Sequence, residues 1–379
     1  MLLVTMAMSA LAFFAIAVAA SELQDEFDIS KLELGLLGAV NTLVGGLFAP
    51  SAGRISDRIG GRSAMGATLL IAGCAAVLMA LSQSYLTLLA AMAIGGPAQG
   101  FANPACNRAI ATGIVSRQRG VITGVKQSGV QFAVFVAGFV VPWLIQQYDW
   151  RAAMWLVAGV SFTSLAGLSF VTELAGETRN LEDEAAYDPK SKLPTFVTQV
   201  AIFGFLLGLV GGGLGRFLPL FAEEEVGFSI ARAGQVFGLQ GLVAIPCRLL
   251  SGVALDRGVR ARSMLVVMAI GGGISVLLIL AATSGSSSLL WIGAVLGGMT
   301  LGSWNTAANL SMIRQKRHAG RATGLLMLGF MIGNTLGAPA VGWSVDSFGY
   351  TPAWIASAGF AFIGAAVIAR RAPDHARYA

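Results

Sequence analysis

Apolar residues fill runs of about 20 positions that recur from one end of the chain to the other, separated by short polar segments. As helices, such runs cross a hydrocarbon core of about 30 Å. The pattern predicts twelve spans, at 2–21, 33–52, 64–83, 86–114, 121–146 and 152–172, then at 195–221, 230–253, 263–283, 288–313, 322–345 and 350–369. Residues 17–21, AVAAS, have the small-residue character of a cleavage site, but no basic residue precedes the apolar run, so 2–21 is read as a true span.

The only long polar stretch, ELAGETRNLEDEAAYDPKSKL at 173–193, divides the chain almost in half. It predicts a six-helix bundle over 1–172, a cytoplasmic linker over 173–193, and a second six-helix bundle over 194–379 that ends in a short cytoplasmic tail. The halves are related. A shift of 200 superimposes Gly120, Thr123, Gly124, Gly129, Val141, Trp143 and Ala153 on Gly320, Thr323, Gly324, Gly329, Val341, Trp343 and Ala353. A shift of 202 places Gly100, Asn103 and Asn107 on Gly302, Asn305 and Asn309, and a shift of 199 places GRISDR (53–58) on GVALDR (252–257). Two six-helix halves in the same orientation suit a parallel repeat about an axis along the membrane normal, with a binding site between them.

Composition agrees. Of 379 residues 55% are apolar and 12% charged, whereas soluble globular proteins carry about 25% charged residues. The 49 glycines suit helices packed closely in lipid. Cys74, Cys106 and Cys247 lie in apolar segments without ligand-like spacing and read as small packing residues. The net charge of +6 could suggest nucleic acid, but the basic residues sort by loop: with both termini cytoplasmic, 18 fall in cytoplasmic segments and 3 (Lys31, Arg151, Arg232) outside. Excess lysine and arginine on one side is a topology signal, so no nucleic-acid partner is expected.

Gly53-Arg54-Ile55-Ser56-Asp57-Arg58-Ile59-Gly60-Gly61-Arg62 resembles the signature between helices 2 and 3 of the major facilitator superfamily, and the stretch from Arg248 through Gly252 to Asp256 and Arg257 resembles its second-half copy. With twelve spans, the half-repeat and the linker, the resemblance covers essentially the whole chain and implies alternating access by rocking of two bundles. It makes Gly53, Asp57, Arg58, Gly60, Arg62, Asp256 and Arg257 gating residues. A carboxylate in a tight turn can face the free N–H groups of a neighbouring helix terminus. The resemblance makes that terminus the start of span 11, near Ala322 and Thr323, and makes the contact lock the outward-open state. In span 4 the superfamily places an arginine three residues before a Gln-Gly pair. Here Gly96 precedes Gln99-Gly100, a departure that weakens assignment as a proton-coupled drug exporter.

Four basic residues, Arg108, Lys126, Arg216 and Arg248, lie within spans, while all 19 carboxylates fall in loops, span ends, linker or tail. A charge at the bilayer centre costs about 2.5–3.5 kcal/mol on insertion scales, so such residues usually face a cavity. Arg248 leads the candidates. Its span is similar to the monocarboxylate and oxalate/formate branches of the superfamily, where a span 8 arginine receives the substrate carboxylate. Guanidinium accepts a carboxylate bidentately and stays charged. Four residues earlier the monocarboxylate pattern has aspartate and this chain has Ala244, which puts a proton relay there in doubt. Arg108 and Lys126 could instead snorkel to the inner interface, and Arg108 could pair with Asp57. Arg216 follows Gly211-Gly212-Gly213, where a loosened helix would serve as a gate, and Glu223 to Glu225 could neutralise it.

Asn103 and Asn107 share one helix face, as do Asn305 and Asn309, and could offer amides to a substrate from both halves or bond between helices. Asn41, Gln127 and Gln240 are further substrate-binding candidates, with Gln131 and Asn334 weaker ones. Gly329, Gly333 and Gly337 read as helix packing.

No catalytic constellation, metal site, cofactor motif or phosphate loop emerges, so the chain is not read as an enzyme. The expectation is a monomeric secondary transporter of the prokaryotic inner membrane, carrying a small organic anion, a carboxylate above all, in exchange for another anion or together with H⁺. Alternatives are multidrug or metabolite efflux, transport of an inorganic anion such as nitrate or cyanate, and a non-transporting sensor with the same fold.

Overall fold

The structure, a computed structural model, describes residues 1–113, 119–168, 194–313 and 319–370, without the side chains of 111–121 and 313–320. The expected linker 173–193 lies outside the described residues, as do Arg117, Arg314, Lys316, Arg317, Arg371, Arg377 and both histidines, His318 and His375.

Fourteen α-helices and no strand are found among the described residues. The first half of the chain holds α1 (Leu2–Val18), α2 (Ala20–Phe27), α3 (Lys31–Ile59), α4 (Gly61–Ala80), α5 (Tyr85–Gly113), α6 (Arg119–Gln147) and α7 (Trp150–Gly167). The second holds α8 (Thr195–Glu224), α9 (Ile230–Asp256), α10 (Ala261–Ala281), α11 (Ser288–Met299), α12 (Trp304–Ile313), α13 (Ala319–Phe348) and α14 (Tyr350–Ala369). Helix α2 continues α1 after a 65° bend, and α12 resumes α11 after the break at 300–303, so the fourteen form twelve segments. Eight helices are individually long and apolar enough to cross a membrane.

The repeat is visible in local geometry. Asp28 (φ 49°) and Gly227 (φ 73°), 199 residues apart, both turn left-handed two residues before a capping serine. Ser30 accepts the N–H of Glu33 at the start of α3, and Ser229 accepts that of Arg232 at the start of α9. At Ser30 the cap is reciprocal, its own N–H donating to the Glu33 carboxylate at 2.9 Å.

Glycine sets the packing. A methyl added at Gly204, Gly208 or Gly212 of α8 would strike Leu326, the Phe330 carbonyl or the Asn334 carbonyl of α13. One added at Gly329, Gly333 or Gly337 would strike the carbonyls of Ala201, Phe205 or Leu209. The two backbones thus lie against each other along a double small-xxx-small ladder, as the spacing of Gly329, Gly333 and Gly337 predicts.

Between the halves, α3 packs on α13 and α6 on α9, two seams that the repeat exchanges. The α3–α13 seam is tight where α3 begins. Asp346 accepts the N–H groups of Lys31 and Leu32, and Lys31 pairs with Glu224 at 3.1 Å. Ser21 donates to Glu223 at 2.8 Å nearby. The seam stays closed as far as Gly46, where an added methyl would sit 3.0 Å from the Met331 sulfur. Beyond it the helices part: Gly53 and Gly324 have no neighbouring helix within 4 Å of an added methyl, and Leu47 and Leu328 are 73% and 57% exposed.

Two expectations need correction here. The stretch from Gly53 to Ile59 is the last two turns of α3, where helical bonding keeps the backbone satisfied, and the turn is confined to Gly60 (φ 84°). Asp57 is exposed, and among the described residues it makes no hydrogen bond or ion pair with the start of α13, as suits a structure whose α3–α13 seam is closed at the Lys31 end and not at this one. Span 10 is not continuous, because α11 ends at Met299 and the regular bonding gives way over 300–303, where the Gly302 N–H reaches back five residues to Gly297 and that of Ser303 only three to Thr300.

Candidate functional site

Lys126, on the third turn of α6, is 1% exposed and does not snorkel. Its ammonium donates to the side-chain oxygens of Asn103 (3.0 Å) and Asn107 (2.7 Å) on α5. Lysine has only donors to offer, so both amides must turn their oxygens towards it. The shared face of Asn103 and Asn107 therefore holds a cation.

Arg248 reaches the next residue of α6. From α9 its Nη1 donates to the Gln127 carbonyl at 2.9 Å and its Nε to the Gly302 carbonyl at 2.7 Å. The Gly302 oxygen is available because residues 300–303 interrupt the helix. Nη2 of Arg248 makes no hydrogen bond among the described residues, and the side chain is only half-buried, so part of its fork remains open. Lys126 and the Gln127 carbonyl that Arg248 holds are thus neighbours on α6, the one bonded towards α5 and the other reached from α9. Ala244 is fully buried, and an added methyl at Gly302 would lie 2.6 Å from its Cβ. The broken span passes too close for the aspartate of the monocarboxylate pattern.

Arg216 sits apart, in the last third of α8. It is fully buried. Its guanidinium lies over the Phe13 ring of α1, 4.4 Å from the centroid, and Nη1 donates to the Phe13 carbonyl at 3.2 Å. Nε and Nη2 have no hydrogen-bond partner among the described residues. Helix α8 continues through Gly211, Gly212 and Gly213 without loosening, since these glycines let α13 approach. Nor do the nearby glutamates neutralise Arg216: Glu223 bonds Ser21, and Glu224 bonds Lys31 and Tyr350.

The remaining candidates divide by place. Asn41 is buried within the first half, donating to the Met92 carbonyl and accepting from Gln99, both at 2.8 Å. Asn309 donates to Asn305 on its own helix, so the second-half pair does not mirror the cation-holding role of the first. Gln240 lies against Gly297 and Gly298, and Gln131 reaches the Gly302 carbonyl at 3.5 Å. Gln127 contributes its backbone. Arg108 is half-buried and has interaction partners. Arg58 and Arg257 are exposed, and Arg62 and Asp256 are engaged with neighbours.

Sequence reasoning missed three participants. Thr42 donates to Asn334 across the α3–α13 seam at 3.3 Å. Trp304, which opens α12 beside Gly302, is held edge-on between Phe203 and Phe330 with both centroids at 5.5 Å. Phe13 covers Arg216. None has a counterpart in the repeat or an unusual residue type for an apolar span, so nothing marked them.

The sequence matches the profile of the Major Facilitator Superfamily over residues 2–315 and 256–378. The chain belongs to this superfamily. Within it, the chain is 25% identical to the hexuronate transporter of Escherichia coli K12, over 93% of this chain and 88% of that one. It is 25% identical to monocarboxylate transporter 13 of Rattus norvegicus over 67% of this chain, though the match spans only 60% of that relative's length. A bacterial homologue of the human lysosomal transporter Spinster, solved inward-facing and unoccupied, superimposes with a TM-score of 0.77 at 16% identity, covering 97% of this chain and 94% of that one, and so shares the superfamily fold.

Proposed function

We propose that the protein carries a small organic carboxylate by alternating access, its bundles over 1–172 and 194–379 rocking about the two seams, with H⁺ or a counter-transported anion as coupling partner. One observation carries this reading. Lys126, Arg216 and Arg248 lie on the helices that form or adjoin the seams, and no carboxylate among the described residues bonds any of them. A cation held by neutral oxygens alone keeps its attraction for an anion, and the low dielectric around it enlarges that attraction. The hexuronate and monocarboxylate transporters among the relatives support a carboxylate.

The excess of basic residues on one side supports an orientation with both termini in the cytoplasm. The end at Lys31 and Asp346 then faces outward and the end at Asp57 inward. In that orientation the structure is closed to the outside, with α3 and α13 parted towards the cytoplasm. Arg248, with part of its fork free, receives the carboxylate, and Lys126, Asn103 and Asn107 hold positive charge beside it.

The test is thermal unfolding of purified protein with glucuronate, pyruvate, nitrate and a cationic amphiphile. Carboxylate protection that Arg248→Ala removes is the expected result. Equal protection by the cationic amphiphile, or protection that survives the substitution, would overturn the reading, and protection by nitrate alone would redirect it to inorganic anions.

A further inference from the structure

Arg216 is the least explained charge in the molecule. Two of its three nitrogens are buried without a hydrogen-bond partner among the described residues, at a depth where water is scarce, and leaving them so costs free energy. Its hydrogen bond and its ring contact both cross between halves: the Phe13 ring and carbonyl belong to α1, and Gly38, whose missing side chain leaves room for the guanidinium, belongs to α3. Rocking that opens the Lys31 end pulls α1 and α3 away from α8. The same movement that breaks the Asp346 contacts therefore uncovers Arg216. By helix rise Arg216 lies about 12 Å inside the Lys31 end, whereas Arg248 lies about 12 Å inside the opposite one, so the two mark different depths on one path.

We infer that Arg216 is the docking point for the substrate carboxylate when the Lys31 end is open, and that closure puts Phe13 in the carboxylate's place and sends the anion on towards Arg248 and Lys126. This rests on the carboxylate reading above. In the open state the unpartnered Nε and Nη2 form one edge of the guanidinium, which matches the two oxygens of a carboxylate. In the closed state the Phe13 ring and its carbonyl offer the cation enough to remain buried, but weakly enough for an incoming anion to displace them.

The experiment compares the two faces of the membrane. In proteoliposomes of uniform orientation, labelled glucuronate and pyruvate are presented first to the Lys31 side and then to the Asp57 side. Arg216→Gln should raise the KM from the Lys31 side about tenfold or more and leave that from the Asp57 side within about twofold, with Arg216→Lys between wild type and Gln. Equal changes from both sides, or none, would overturn the inference. Absence of wild-type flux with either probe counts against the transport reading, and a second measurement then decides this one. With Cys74, Cys106 and Cys247 replaced by alanine, Arg216→Cys should react slowly with a membrane-impermeant thiol reagent and several-fold faster once Asp346→Ala weakens closure. Unchanged, slow reaction in the Asp346→Ala background would also overturn it.

Discussion

The carboxylate of Asp346, at the end of α13, accepts the backbone N–H of Lys31 at 3.1 Å and of Leu32 at 2.8 Å, and so caps a helix that belongs to the other half of the molecule. Helix caps are usually local. Here Ser30 caps locally only the N–H of Glu33, while those of Lys31 and Leu32 are met by a residue over 300 positions away in sequence, and that part of the cap exists only while the halves are closed at that end. Asp346→Ala is predicted to remove about 1 kcal/mol from the closed state, roughly a fivefold shift in population, whereas Lys31→Ala, which breaks only a partly exposed ion pair, should shift it less. Distance distributions between spin labels on the Lys31-end tips of α3 and α13 would show it; equal effects of the two substitutions would contradict it.

Lys126 and its two asparagines form a unit. Replacing the lysine by methionine leaves two amide oxygens without their donor, and replacing Asn103 by alanine leaves the ammonium with one acceptor. A double-mutant cycle of Lys126→Met and Asn103→Ala should therefore give a coupling of about 1–2 kcal/mol in thermal or denaturant unfolding. Additive effects would mean that the hydrogen bond contributes nothing to stability.

Restoring the aspartate of the monocarboxylate pattern should fail in this chain. Ala244→Asp would push a carboxylate against Gly302 at the break between α11 and α12, at a predicted cost of about 3 kcal/mol or more. Lower yield and an earlier melting transition are expected. A variant as stable as wild type would show that α12 moves aside readily.

Glycines of equal helix cost should differ sharply by place. Gly333→Ala puts a methyl into the Phe205 carbonyl and is predicted to lower the unfolding temperature markedly, whereas Gly359→Ala meets nothing within 4 Å and should be neutral or stabilising by up to about 1 kcal/mol. Detergent-solubilised melting curves of the two variants, read side by side, decide it.

Twelve apolar runs, the offset of 199 to 202 residues and the signature pair carried the fold, because a bilayer imposes length and backbone satisfaction on every span whatever its side chains. The capping serines, Ser30 and Ser229, obey the same offset. The cations at depth were legible for a similar reason: a charge among apolar residues is conspicuous in a way that a threonine or phenylalanine is not. What those cations touch was not legible. Arg216 is close in sequence to Glu223–Glu225, which could neutralise it, yet it turns to Phe13, some 200 positions earlier, because the intact helix points it towards α1. The Gly211–Gly213 run was read as a loose point, yet glycine beside a close-packed partner stiffens a membrane helix. The break at 300–303 carries no proline and differs little from other Gly-rich stretches, and so the carbonyl that holds Arg248 could not be foreseen.

The glycine ladder between α8 and α13 has a mechanical consequence. Because five of the six glycines set one backbone directly against the other, and only Gly204 faces a side chain, that of Leu326, the pair acts as one stiff beam. Arg216 is fixed to one rail and Asp346 to the other. A pull that frees the Lys31 end is delivered to the buried guanidinium without slack, so the outer latch and the inner charge keep time with each other, and a bulky residue placed anywhere on the ladder would let them slip.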